Sequence, residues 1–398
     1  MNAPLRLSPA EQTLIDQLRT RDTAEADRFA GSGLPTRKVE SYHYTDLKML
    51  LRTVPGLATP AEASSIAPLD VPGARRLSIV NGKPQPAFDL PQGLRAGTVA
   101  GSVLTQRDDV LVRLNAALVG EALSLDVSGA VSEIIAIDRR IEGGAAHMAS
   151  AAKIFVGDDA SVTIFETYSG SEATHVGNHA TYLAVGKNAV VTHVTVDLSP
   201  AGATHFATNE YVLAEGARLH TLVIHAGAGL ARTQLFPTYA GRDAHADMTG
   251  LNLVGDGQHA DITMDAHHAV PHTSSKPLFK SIARGRSRAV VQGRLVVARD
   301  AQKTDAKLMA QGLMLSDEAE ILTKPELEIY ADDVVCGHGA TCGRLDDDHL
   351  FYLMSRGIPK IEAEIMLIRA FLAELIDPIE DEGLSTALSA VIDGWLGQ

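Results

Sequence analysis

The sequence predicts a mainly β fold, a β-solenoid core held between two helical regions, and three observations carry that prediction. First, short β-branched runs recur from about residue 96 to 345, separated by Gly, Asn and Asp: AKIFVGDDASVTIFETY, NAVVTHVTVDL, ARLHTLVIHAG and SRAVVQGRLVVAR. Second, this stretch repeats. A turn residue, a small residue, any residue and then a strand former place Ala160 before Val162, Ala189 before Val191, Ala217 before Leu219 and Ala246 before Met248. The same pattern places Ala260 before Ile262, Ala289 before Val291 and Ala319 before Ile321. These alanines stand 29, 28, 29, 14, 29 and 30 residues apart, which implies a unit of about 14 to 15 residues. Third, helical spacing of apolar residues is confined to the two ends of the chain. A helical repeat would be longer, and a β-sandwich does not produce a near-constant step of 29. A short unit rich in Val, Ile and Thr reads as one coil of a solenoid, because it buries its apolar side chains only by stacking on its neighbours.

In chain order, residues 1–95 form an N-terminal helical region with a linker. Ser8-Pro9 starts a helix on which Leu14, Ile15 and Leu18 share a face. The stretch 53–75 is rich in Pro, Ala and Gly and reads as a loop. LSIVNGK at 77–83 reads as a strand ending in an Asn81-Gly82 turn. Residues 96–345 are the β core, with no strong amphipathic helix within it. Residues 346–398 return to helix: Ile361, Ile365, Ile368, Leu372 and Leu375 form one stripe, and Met366, Leu367, Ala370 and Phe371 broaden it. Asp377-Pro378-Ile379-Glu380 ends that helix and offers Asp377 as the N-cap of the next, with Pro378 at N1 and Glu380 at N3. Leu384, Leu388, Val391, Ile392 and Trp395 continue the pattern. Apolar surface this wide has two uses, covering the end of a solenoid or docking a partner.

The chain of 398 residues has a formal charge of −14, which argues against nucleic acid or an anionic membrane as its main partner. Two cysteines exclude a disulfide framework and suit a reducing cytosol. The N-terminus MNAPLRLSPAEQTL lacks a basic region followed by an apolar one, and no run of 18 apolar residues occurs. A soluble cytoplasmic protein is expected.

Chemistry-bearing residues are sparse. There is no GxxxxGK[ST] phosphate loop and no GxSxG elbow, and HAGAGLAR at 225–232 and VGDGQH at 254–259 lack the spacing of a dinucleotide fingerprint. Twelve of the fifteen histidines lie between His147 and His272, densest at Asp265, His267, His268 and His272. These lack HExxH spacing and read as structural or surface residues; on a strand, His268 and His272 would share a face with His267 opposite. Asp346-Asp347-Asp348 reads as a solvated helix start. Cys336 and His338 remain, one glycine apart, with Cys342 beyond. In an extended segment they project from one face and their donor atoms reach a single metal or a single iron of a cluster. Two ligands are too few for a closed site, so the rest would come from elsewhere. The other reading, a buried small thiol beside a hydrogen-bonded core histidine, stays open from spacing alone.

The chain resembles the SufB/SufD family of the SUF iron–sulfur cluster assembly system. GLPTRKVESYHYTDL (33–47) is similar to the family's N-terminal segment, with Tyr42 where Trp is common and His43 where Lys or Arg is common. His268, His272, Thr273, Ser275 and the region of Lys280 resemble the family core, with Val291 where Phe is frequent. The string AQKTDAKLMAQGLMLSDEAEILTKPELEIYADDVVCGHGATCGRLDDDHLFYLMSRGI (301–358) is the most specific match. Cys336-Gly337-His338-Gly339-Ala340-Thr341 is like the SufD branch, although Gly337 replaces a common Ser and Cys342 stands where Val or another small residue is usual.

The resemblance implies a right-handed parallel β-helix flanked by helices. It implies a non-catalytic scaffold subunit paired core to core with SufB, and with the SufC ATPase docked on the C-terminal helices. Phe351, Tyr352, Arg356, Ile365 and Phe371 are then the expected SufC contacts. It further implies an iron–sulfur cluster formed transiently at the SufB interface, with His338 as this chain's ligand, Cys336 in support, and no nucleotide bound here. For the chain alone, a homodimer through its exposed β-helix edge is the alternative to these partners. Two other classes are weighed: a β-helix enzyme acting on carbohydrate or acyl substrates, which needs an acid, base or metal cluster not evident here, and a stand-alone metalloprotein built on residues 265–272.

Overall fold

The computed structural model describes residues 7–104, 107–171 and 173–397. The first six residues, part of the segment that bears on the absence of a leader, lie outside them. Among the described residues the β core is a parallel solenoid of about eight turns made of two facing sheets, one of nine and one of eleven strands. The chain contributes one strand to each sheet per turn. Ser161–Gly170, Val190–Asp197, Arg218–His225 and His245–Val254 are successive neighbours in the second sheet, in register with Ser161 beside Val190, Val190 beside Arg218 and Arg218 beside His245. Val176–Val185, Thr204–Leu213, Leu230–Tyr239 and His259–His268 alternate with them in the first sheet.

This register corrects the size of the coil. A full turn is the 29-residue step, and the 14-residue unit is half a turn. Ala246 lies in a strand of the second sheet and Ala260 in the next strand of the first, so the single short step marks the crossing from one sheet to the other. The alanines are fully or almost fully buried because each sits where the chain turns into a strand and only a methyl group fits.

Inward side chains such as Ile154, Leu183, Leu235, Ile164, Val191 and Leu219 form one continuous core along the axis. A polar line is embedded in it. Arg139 donates to Glu166, Ser150 and Thr181, Glu166 also meets His193, and His225 pairs with Asn252 and Thr233. Buried ions and imidazoles of this kind persist because each is held by a partner.

Helix α1 (Pro9–Arg19) begins as expected, with a Ser8–Glu11 capping box, and α2 (Thr23–Ser32) and the short α3 (Leu47–Leu50) follow. The Asn81-Gly82 turn is a two-residue hairpin with both residues at positive φ, joining Arg75–Val80 to Lys83–Pro84. One helix within the core region was not expected. Helix α4 (Val110–Leu118) reads VLVRLNAAL, a short run whose Val and Leu suit a strand as readily as a helix, and it packs with α1 on the outside of the first sheet. Its Asn115 donates to the carbonyls of Ser150 and Asn178.

The two ends of the solenoid differ. At the start, antiparallel strands close both sheets: Leu94–Ala100 on Glu121–Val127, and Lys83–Pro84 on Arg75–Val80. At the finish, Glu320–Ile329 and Val335–Gly343 are edge strands, each paired on one side only among the described residues. Helices α5 (Asp347–Ser355), α6 (Lys360–Ile376) and α7 (Glu382–Leu396) do not close that end. Ile368, Leu372, Leu375, Leu384, Leu388 and Trp395 pack sideways on the outer face of the second sheet, against Phe165, Val194, Leu222, Leu251 and Ile282. Two details of the expected helices change. Ile361 is 71% exposed and lies off the buried stripe, and the cap of α7 is Asp381, whose carboxylate accepts from Leu384 N–H, in place of Asp377.

Candidate site at the open end of the solenoid

The last strand, Val335–Gly343, lies parallel to Asp305–Met314, with Cys336 beside Ala306, His338 beside Leu308, Ala340 beside Ala310 and Cys342 beside Gly312. Ala306, Leu308 and Ala310 are buried and point into the core, while Lys307 and Met309 between them are exposed. Alternation therefore places Cys336, His338, Ala340 and Cys342 on the core side of a coil that has nothing stacked above it. The extended geometry assumed for VVCGH is present, and both sequence-named ligands share a face.

Their surroundings differ. Cys336 is half-buried and packs at the margin of the core, and burial raises its thiol above the usual cysteine range, partly offset by a hydrogen bond with the Ala306 backbone. His338 is exposed and makes no hydrogen bond or ion pair with a described residue. The core reading thus suits Cys336 in part and His338 not at all. Beneath His338 the floor is apolar: Leu308 fills the space left by Gly293, where a Cβ would collide with it. A Cβ at Gly337 would meet nothing within 4 Å, whereas one at Gly339 would press on Met309 at 2.8 Å. Gly337 leaves the approach open, and a Cβ at Gly339 would only displace the end of the exposed Met309 side chain.

Cys336 and His338, two residues apart on a strand, have Cα atoms separated by about 7 Å, which lets thiolate and imidazole converge on one ion. Cys342 is four residues past His338, about 13 Å along the strand, too far to join them within one chain. Its thiol is raised by burial and its sulfur lies against the Gly312 backbone. No group of three or more His, Cys, Asp and Glu able to hold a metal occurs among the described residues. The open end therefore presents a thiol and an imidazole side by side, on an edge whose backbone is unpaired on its outer side among the described residues.

The 265–272 cluster has a different fate. His268 is fully buried with Nδ1 on Thr273 at 2.8 Å and Nε2 on Ser275 at 3.1 Å, and its ring is stacked 4.0 Å from Tyr239. Burial pushes it down to about 3. The strand ends at His268, and His272 lies beyond it at positive φ, so the two do not share a strand face. His267 is on the outer face and Asp265 holds Arg294.

Of the expected docking residues, Phe351 is 73% exposed, Tyr352 is 55% exposed, and the Arg356 guanidinium lies over the Tyr352 ring. Helix α5, which carries Phe351 and Tyr352, has no buried residue. Ile365 is half-buried on α6. Phe371 faces the solenoid, beneath the Lys280 ammonium at 4.6 Å, and anchors the helix. Sequence reading missed the anchoring cations. Lys280, 3% exposed, donates to the Phe371 carbonyl at 2.7 Å and to Glu374 at 2.8 Å, and Arg284 donates to the Trp395 carbonyl from above its ring. A lysine on the outward side of the strand LFKSIA is the signal that was available for the first.

Residues 139–371 match the family model described as SUF system FeS cluster assembly, SufBD core domain. The chain is 30% identical over 411 aligned positions to the iron-sulfur cluster assembly protein SufD of Escherichia coli, covering 97% of this chain and 92% of that protein. It is 32% identical to an iron-sulfur cluster assembly SufBD family protein of Synechocystis over 57% of this chain and 52% of that one. It is 30% identical to the chloroplastic protein ABCI7 of Arabidopsis thaliana over 56% of this chain and 48% of that one.

Proposed function

The chain belongs to the SufBD family of the SUF iron–sulfur cluster assembly system, and from that premise we propose that it is a non-catalytic, SufD-type scaffold subunit. It pairs with SufB through its open end, and the cluster is assembled transiently between them. The observation that carries this reading is the unfinished coil: two edge strands with Cys336 and His338 on the core side and no third ligand in reach. A partner solenoid docked edge to edge would supply both the missing strand pairing and the missing ligands. In that arrangement the exposed imidazole of His338 binds iron, and Cys336 assists after losing its proton. Without SufB, the same edge pairs with a second copy of this chain.

The C-terminal helices dock the SufC ATPase, which hydrolyses the nucleotide; this chain binds none. The exposed ring pair of Phe351 and Tyr352 with Arg356 supports that role, since desolvated aromatic and arginine side chains make strong interface contacts. The route from α6 to the site is short. Lys280, which clasps α6, is in register with Gln311, and Gln311 with Thr341 on the strand that carries His338. Two strand spacings, about 10 Å, separate the clasp from the site strand. Displacement of α6 by SufC would thus pull on the second sheet and reshape the edge where the cluster forms. No helix among the described residues is long and apolar enough to cross a membrane, and we place the protein in the cytoplasm.

The test is coexpression with SufB and SufC, reading subunit ratio and iron content. His338→Ala should abolish cluster assembly while leaving the complex intact. Normal iron content in that variant would sink the ligand role, and failure to copurify with SufB would sink the pairing.

A further inference from the structure

A pocket of about 250 Å³ lies beside the first coils of the solenoid, at the end away from Cys336 and His338. Its walls are the end of α4 at Leu118, the linker from Leu57 to Pro60 and the Asn81-Gly82 hairpin, and Arg21, just past α1, completes the rim. His147, 2% exposed, lines it from the strand His147–Val156. The backbone of His147 is pinned to the linker: its N–H donates to the Gly56 carbonyl at 2.7 Å, and Ala58 N–H donates to its carbonyl at 2.8 Å.

Neighbouring hydrogen bonds fix the tautomer of this imidazole. Gln17 donates its amide nitrogen to the Pro55 carbonyl at 2.7 Å, and a carbonyl can only accept. The other end of that amide, Oε1, therefore faces His147 Nδ1, 2.7 Å away, and accepts its proton. Burial holds the ring at about 4, so at neutral pH the remaining nitrogen, Nε2, is a bare lone pair. Nε2 meets no described residue and is not sealed from solvent, so the pocket is where it opens.

The charges around it are unpaired. Arg21 and Lys83 make no ion pair among the described residues, and neither does Glu121, the one carboxylate on the lining. The lining thus carries one surplus positive charge on a chain whose formal charge is −14. Two cations repel a metal ion, whereas they suit an anion. The imidazole adds a second requirement, that the anion still carry a hydrogen: an O–H donates to Nε2, while an anion without one sets lone pair against lone pair. The volume suits a small oxyanion and lies below the usual range for larger organic ligands.

We propose that this pocket binds hydrogen phosphate, with its O–H donating to His147 Nε2 and its charged oxygens on Arg21 and Lys83. The inference stands on this chain alone and survives if the cluster-assembly roles above do not.

The test is calorimetric titration of the full chain at pH 8 and low salt with phosphate, sulfate and methyl phosphate. All three are then tetrahedral dianions, and only phosphate keeps an O–H, which also separates the free ion from the phosphoryl group of an ester. Phosphate should bind with a dissociation constant below about 1 mM, and the other two about tenfold more weakly or worse. Arg21→Gln with Lys83→Gln, both exposed, should weaken phosphate by about tenfold. Arg37→Gln with Lys38→Gln, exposed cations outside the pocket, should change it less than about twofold. His147→Gln, whose amide can turn a donor toward the ion, should bring phosphate and sulfate within about threefold of one another. No saturable phosphate binding, equal affinity for the three ions, or equal weakening by both double variants would overturn the proposal. Should His147→Gln unfold, the order of the three ions on the unaltered chain and the two exposed pairs decide the matter.

Discussion

Acidification from pH 7 to pH 5 should destabilise the solenoid strongly, because its interior holds histidines in their neutral form. Burial lowers His147, His225 and His259 to about 4 and His205 and His268 to about 3, from an ordinary value of 6.5. The sign follows from the direction of the shift. In the unfolded chain these imidazoles take up protons as pH falls through 6.5, whereas the folded state resists until about 3 to 4. Their contribution is therefore complete above the unfolded value and is lost progressively between about pH 6.5 and 4. Each group shifts stability by about 1.4 kcal/mol per pH unit inside that window, or about 2 kcal/mol between pH 7 and 5. These five amount to about 10 kcal/mol, comparable with the whole stability of a typical domain, and His175, His179 and His220, also lowered by burial, act with the same sign. Glu166 does not offset this, since its carboxylate is held down to about 2 by Arg139 and His193 against the cost of burial, and it titrates below the window. Thermal melts at pH 7.5, 6.5, 5.5 and 5.0 should show midpoints falling by about 10 °C or more in total. His205→Phe keeps the ring between Tyr168 and His179 and removes one titrating group. That variant should reduce the loss of stability between pH 7 and 5 by about 2 kcal/mol. Equal midpoints at pH 7.5 and 5.0, or an unchanged slope in His205→Phe, would refute the argument.

Three further outcomes follow from particular contacts. Lys280→Met removes two hydrogen bonds and the cation over Phe371, and should loosen α6 and α7 by about 1–3 kcal/mol, read as faster amide exchange in residues 360–396 with the solenoid strands unaffected. Gly241→Ala should destabilise the fold by about 2 kcal/mol or more in thermal melts, since a Cβ there collides with the backbone of Ala214 and Glu215 in the adjacent coil. Replacing Phe351, Tyr352 and Arg356 together by Ala should abolish SufC pull-down without lowering the melting midpoint by more than about 1 °C, because none is buried; retained pull-down would remove the docking assignment.

The solenoid was legible because stacking forces a repeat. Each turn meets the same neighbours, so small residues return wherever the chain turns into a strand, and Ala160, Ala189, Ala217 and Ala246 record the period directly. The sequence did not reveal that 14 residues are half a turn, since a turn-and-strand pattern looks the same whichever sheet receives the strand. Helix α4 escaped because a nine-residue run opening Val-Leu-Val is too short for its pattern to separate helix from strand. His267 and His268 were correctly separated by alternation, but the strand ends before His272, and the pairing of that residue with His268 failed there.

Composition, period and the single Cys336–His338 spacing were enough to determine a mainly β solenoid with that thiol and imidazole on one strand face, since those features depend on residues near one another or one turn apart. Only the tertiary structure decided that the C-terminal helices flank the second sheet and leave the last coil open, that Phe371 anchors while Phe351 and Tyr352 stand free, and that Lys280 ties α6 to a strand two places from the one carrying His338. The same apolar stripe would serve to cap an end or cover a flank. Which one it covers depends on contacts between residues about 90 to 200 positions apart, such as Lys280 with Glu374 and Phe165 with the helices, and no local pattern encodes those.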